Sequence, residues 1–206
     1  VYDYPYLSSS ANQIFDLTIG YSTNLSGTFK EAEGNARKLN IYNEMAQVCM
    51  GFDETGSVRR FDRDGDLTSG TKIDEAIFFN FARILTKDEI KKQSFSLQLL
   101  TGGVCNLAQA SGGPKEVLTI QDHGAKTNYR TNAAVGEYGI LYTGSAAQAD
   151  SGVGLIFYQA GVVVLTSSVF SIQLDADGAE VAIPSKRNYL GPVSYTHLTL
   201  PTKRIV

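Results

Sequence analysis

From Phe15 the chain alternates. Phe15, Leu17, Ile19 and Tyr21 fall on one side, Asp16, Thr18 and Ser22 on the other. A period of two predicts a half-buried strand. Residues 22–37 are rich in Ser, Asn, Gly and charge and predict a loop. The period changes after Leu39: Tyr42, Met45, Ala46 and Cys49 stand at i, i+3, i+4 and i+7, one face of a helix. The expected helix covers 39–50, with Asn40 as cap and Gly51 ending it. Residues 53–74 are polar and broken by glycines, a long loop or hairpin. The run from Ala76 to Ile84, with Phe78, Phe79 and Phe81, reads as a strand. Thr86 and Glu89 have the spacing of a capping box, so a short helix is expected over 87–92. Phe95, Leu97 and Leu99 then alternate with Ser94, Ser96 and Gln98, another strand.

Residues 101–114 hold four glycines and a proline and read as a surface loop. Strands are expected at 117–121 and 137–143. Residues 153–170 form the most apolar stretch. Gln159-Ala160-Gly161 divides it into Leu155–Tyr158 and Val162–Leu165, two buried strands joined by a tight turn in which Gly161 takes a positive φ. Phe170, Ile172 and Leu174 extend the pattern, and Asp175–Gly178 is a turn. The expected fold is α+β: a predominantly antiparallel β-sheet with one or two short helices.

Composition narrows the function classes. The 206 residues are 43% hydrophobic and 19% charged, neither a disordered tail nor a coiled coil. No apolar run approaches the roughly 20 residues of a membrane-spanning helix, so no membrane partner is expected. The net charge of −3 argues against nucleic acid, whose binding surfaces are usually basic. Two cysteines do not make a disulfide scaffold.

The ends differ from the middle. The chain starts at Val1 within an aromatic Tyr2-Asp3-Tyr4-Pro5-Tyr6 stretch that predicts an extended segment, without the charged and apolar regions of a signal peptide. An internal fragment of a longer protein is the expectation. Pro192 to Thr202 reads as a translated sequencing-library adapter, with Lys203–Ile205 from an index and Val206 before a stop codon. Residues 192–206 are therefore expected to be a non-native tail, and 1–191 a strand-rich structural domain with a possible subdomain split near 101–114. Without Lys203 and Arg204 the charge moves from −3 to −5, and His123 is the one native histidine.

The sharpest chemical motif is Asp62-Arg63-Asp64-Gly65-Asp66. Three carboxylates two residues apart can converge on a hard cation, as at the start of a calcium loop. An EF-hand needs Gly at its sixth position and Glu at its twelfth. Leu67 and Ile73 stand there, and Glu75 lies two residues too far along. Asp62, Asp64 and Asp66 are thus the only metal candidates, with an incomplete ligand set; the expectation is an acidic hairpin tip in water, holding no metal. Asp122-His123 lacks a nucleophile-elbow partner and reads as a strand end, with His123 in solvent. Cys49 on the helix face and Cys105 in the glycine-rich loop read as structural. Gly136-Glu137-Tyr138-Gly139 and Gly152-Val153-Gly154 read as strand ends and bends. Lys87, Lys91 and Lys92 with Asp88 and Glu89 read as a solvated helix face. No catalytic set and no cofactor are expected.

Several blocks together carry a resemblance: YDYPY at 2–6, NIYNEMAQV at 40–48, FARILTKDEIKK at 81–92, GEYGILYTG at 136–144 and VGLIFYQAGVVVLT at 153–166. They resemble a virion structural protein of marine T-even-like myoviruses, the contractile-tailed phages of cyanobacteria and other ocean bacteria. The similarity spans most of residues 1–190 and includes no catalytic signature. It implies a tail, baseplate or head-associated subunit in the virion, acting by assembly without catalysis, with other virion proteins as partners and as a homo-oligomer. Two alternatives stand beside it. One is an extracellular calcium- or carbohydrate-binding module of a bacterial surface protein, with Asp62, Asp64 and Asp66 as ligands. The other is an enzyme such as a depolymerase, which needs paired carboxylates in one cleft.

Overall fold

The structure, a computed structural model, describes residues 12–24, 35–66, 70–82, 88–101, 116–143, 152–170, 173–174 and 180–181. It is α+β and dominated by antiparallel sheet. Strands β1 (Phe15–Tyr21), β2 (Glu75–Phe81), β3 (Ser96–Thr101), β4 (Glu116–Gln121), β5 (Arg130–Asn132), β6 (Gly136–Thr143), β7 (Gly154–Phe157) and β8 (Val162–Thr166) form an eight-stranded sheet. Its order is β1-β2-β8-β7-β6-β4-β3, with β5 paired to β6. Every pairing is antiparallel. Two short strands, β9 (Gln173–Leu174) and β10 (Glu180–Val181), pair separately and flank the expected 175–178 turn, which itself lies outside the described residues. The N-terminal stretch expected to be extended, Thr86, Cys105, residues 102–114 of the expected surface loop, and residues 192–206 also lie outside them. β3 and β4, on either side of 102–114, pair with each other, so the sheet is continuous across that stretch.

The central strands read as nearly unbroken apolar runs because both of their faces are covered. On β2, Ile77 and Phe79 enter one core while Phe78 enters the other. On β8, Val163 and Leu165 join the first core, and Val162 and Val164 the second. The first core gathers Phe15 of β1 with Leu97 of β3 and Ile120 of β4. β1 and β3 are opposite edges of the sheet, so the sheet curls to bring them into one cluster. The second core lies under helix α1 (Asn35–Met50), whose Tyr42, Ala46, Cys49 and Met50 pack with Phe78, Phe157 and Val164.

Gly20 makes the helix contact possible. A β-carbon there would stand 2.8 Å from the Tyr42 nitrogen and 3.0 Å from the Lys38 carbonyl. This reverses part of the β1 expectation: Gly20 and Ser22 are buried on the helix side while Leu17 is exposed. The helix starts at Asn35, four residues before the expected 39, so Asn40 is interior and exposed rather than a cap. Ala36, Arg37 and Lys38 are good helix formers and extend it. Gly51 ends it as expected, at φ +75°, with its N–H directed to the carbonyls of Ala46 and Gln47.

The β7–β8 hairpin also forms as expected, with Gly161 at φ +69° and its N–H bonded to the Phe157 carbonyl at 2.9 Å. The short helix expected over 87–92 does not form in the described part, 88–92, which is turn and irregular chain. Tertiary hydrogen bonds take the groups a helix would use. The Ile90 N–H donates to the Tyr158 carbonyl, and Gln93, at φ +62°, donates its N–H to Asp122. Lys92 is consequently not on a solvated helix face. It pairs with Glu137 and lies over the rings of Tyr129 and Tyr158.

Candidate metal centre

The chain between α1 and β2 is tied down at several points. Phe61 is buried, with its ring 5.5 Å from Tyr42, 5.7 Å from Phe78 and 6.1 Å from Phe157. The Tyr42 hydroxyl donates to the Ile73 carbonyl at 2.6 Å and accepts the Phe61 N–H at 3.3 Å. Residues 61 and 73 are joined again by the Ile73 N–H to the Phe61 carbonyl, and Arg63 N–H reaches the Thr71 carbonyl. Asp62 and Lys72 face each other across this short antiparallel ladder. The loop was therefore legible as a hairpin, but not as a solvated one.

Its tip is anchored to the sheet. The Tyr138 hydroxyl donates to the Gly65 carbonyl at 2.8 Å, and Arg63 Nε donates to the Gly152 carbonyl at 2.8 Å. Gly65 takes φ +69° against Ile140, and Gly152 is so close to the Arg63 carbonyl that a β-carbon would collide with it. Gly152 is thus a point of close backbone approach, a stronger constraint than the bend expected there.

This anchoring buries Asp62, correcting the expectation of an exposed acidic tip. Asp62 is 0% exposed, Asp64 half-buried and Asp66 exposed. One oxygen from each of the three lies within 4.8 Å of the others. Asp62 Oδ2 accepts an ion-paired hydrogen bond from Lys72. Asp62 Oδ1 is buried and has no hydrogen-bond partner among the described residues. Burial pushes the Asp62 carboxyl above the ordinary carboxylate range; Lys72 pulls it down and Asp64 pushes it up. The Asp66 N–H donates to Asp64 Oδ1 at 3.2 Å. Beside the acids is a cavity of about 190 Å³, where Asp64 and Asp66 meet Asn128, Arg130, Ile140, Tyr142 and Gly152.

The other sequence candidates fall elsewhere. Asp122 is buried at the end of β4, where its carboxylate accepts N–H groups from Gln93 at 2.7 Å and Phe95 at 3.1 Å and the Tyr158 hydroxyl at 3.1 Å. Three donors on one carboxylate make it a structural anchor. His123 is half-buried rather than in solvent. Cys49 is buried in the helix-side core as expected. Gly139 and Gly154 lie against Tyr158 and the Val164 carbonyl respectively.

Sequence reasoning missed Lys72, Gly70, Arg130 and Tyr138. A signal existed for Lys72: in a hairpin, opposite charges at mirrored positions are expected to pair. None existed for Arg130 and Tyr138, which reach the loop from more than 60 residues away. No protein-family model matches this chain, and neither a curated protein nor a solved structure matches it.

Proposed function

We propose that the chain is a structural subunit of a myovirus-type phage particle, from the tail, baseplate or head, that acts by assembly rather than catalysis. The observation that carries this reading is where the blocks of resemblance fall. NIYNEMAQV lies on α1, GEYGILYTG on β6 with one residue beyond it, and VGLIFYQAGVVVLT on the β7–β8 hairpin. Three of the five blocks thus include residues that build the two cores, and a shared core implies a shared fold.

Surface character agrees with assembly. Val48, in the last turn of α1, and Phe52, just past its end, are 60% and 52% exposed, and Leu17 is exposed on the edge strand β1. Exposed aromatic and aliphatic groups of this kind serve as contacts in protein interfaces. The test is immunogold microscopy with antibodies raised against the recombinant chain. Cyanophage-type myovirus particles should be decorated at one defined structure. Particles left unlabelled both intact and disrupted would sink the reading.

A further inference from the structure

We propose that Asp62, Asp64 and Asp66 form a calcium site that locks the 61–73 hairpin onto the sheet. Three observations converge on it, the first being distance. Two oxygens bound to one calcium at about 2.4 Å stand at most about 4.8 Å apart, and one oxygen from each acid meets that limit. Second, Asp62 Oδ1 is a fully buried acceptor without a donor among the described residues. Such an atom is rare in native proteins, because its lost hydration is not compensated, and the more so when it is charged. Lys72 satisfies only the other oxygen, and Asp64 beside the carboxylate adds negative charge. A cation satisfies what a hydrogen-bond donor does not.

The third observation is the space beside these oxygens. Gly70 has φ +90°, and a β-carbon there would stand 2.5 Å from Asp64 Oδ2 and 3.5 Å from Asp62 Oδ1. Glycine leaves that side of both carboxylates open. The adjoining cavity supplies room for the waters that complete a shell of six to eight oxygens.

The donor set selects the ion. Protein zinc sites are built around Cys sulfur or His nitrogen, with carboxylates in addition, whereas all three donors here are carboxylate oxygens. Magnesium demands near-octahedral geometry at about 2.1 Å, which the flexible coordination of calcium does not. Lys72 and Arg130 stand close by and offset part of the negative charge. The affinity should therefore be modest, with Kd on the order of 10⁻⁴ M.

The site stands apart from the assembly reading and is tested separately, on the full chain. Calcium at 10 mM should raise Tm by about 5 °C or more, and calorimetric titration should show one site. Terbium emission sensitised by Tyr138 and Tyr142 should appear and be displaced by calcium. Asp64→Asn should abolish all three effects. Gly70→Ala, which removes no charge, should weaken binding at least tenfold if folded, and Lys72→Gln should tighten it. No binding to the folded wild-type chain at 10 mM calcium would overturn the proposal. So would an equal Tm rise with magnesium or with sodium chloride of matched ionic strength, or calcium binding unchanged in Asp64→Asn.

Discussion

Asp122 and Tyr158 illustrate how single residues hold this chain together. The Asp122 carboxylate gathers Gln93, Phe95 and Tyr158, joining the 88–95 segment to the end of β4 and to the β7–β8 turn. Hydrogen bonds to a charged acceptor contribute about 1.5–3 kcal/mol each, and a stranded buried donor costs about 1–3 kcal/mol. In Asp122→Asn one oxygen becomes an NH₂ facing an N–H donor. That variant should lose about 2–4 kcal/mol in urea denaturation. Tyr158→Phe leaves both backbone donors satisfied and should lose only about 1 kcal/mol. A Tyr158→Phe loss as large as that of Asp122→Asn would move the anchoring role to the tyrosine. Nothing in the sequence around Asp122 announces this, because an acid after an apolar strand is the ordinary mark of a turn.

Among elements, the contact between α1 and β1 depends on the one residue without a side chain. The helix backbone at Lys38 and Tyr42 occupies the space a β-carbon at position 20 would need. Backbone cannot swing aside as a flexible side chain can, so Gly20→Ala must push the helix outward or bend the strand. Overpacking of this kind costs about 1–3 kcal/mol, and equilibrium unfolding should show that loss. A neutral or stabilising Gly20→Ala would mean that the helix does not lie this close to the strand. Element type was readable where local periodicity is strong: the helix from Tyr42, Met45, Ala46 and Cys49, and the β7–β8 hairpin from its glycine. It was not readable at 88–92, where the capping-box spacing is present but the Ile90 and Gln93 N–H groups are taken by Tyr158 and Asp122. Helix propensity over one or two turns is small against such bonds.

For the whole molecule, the two cores share their strands. β2 and β8 send alternate residues into each, so neither core can melt while the other keeps its sheet. Unfolding should be a single transition. Cys49 reports on the helix-side core: it is fully buried, and burial pushes its thiol pKa up to about 12. Since the thiolate is the reactive form, Cys49 should resist alkylation at neutral pH until unfolding. In a Cys105→Ser background, the urea midpoints for Cys49 alkylation and for loss of β-sheet circular dichroism should coincide. A lower midpoint for Cys49 would show that the helix and its core open separately.

Local sequence was sufficient for the antiparallel β-rich class, for the positive-φ turns at Gly51 and Gly161, and for the apolar strands, because these follow from side-chain periodicity and backbone conformation over a few residues. Only the tertiary structure decided which strands are neighbours, that the sheet curls Phe15 toward Leu97, and that Asp62 is buried. The motif reading put all three acids in water, since three like charges in a glycine-broken loop belong there by their own solvation. Tyr42, Tyr138 and the Gly152 carbonyl draw that loop onto the sheet from elsewhere in the chain. Burial of a charge is a balance struck by distant groups, and a local pattern does not contain it.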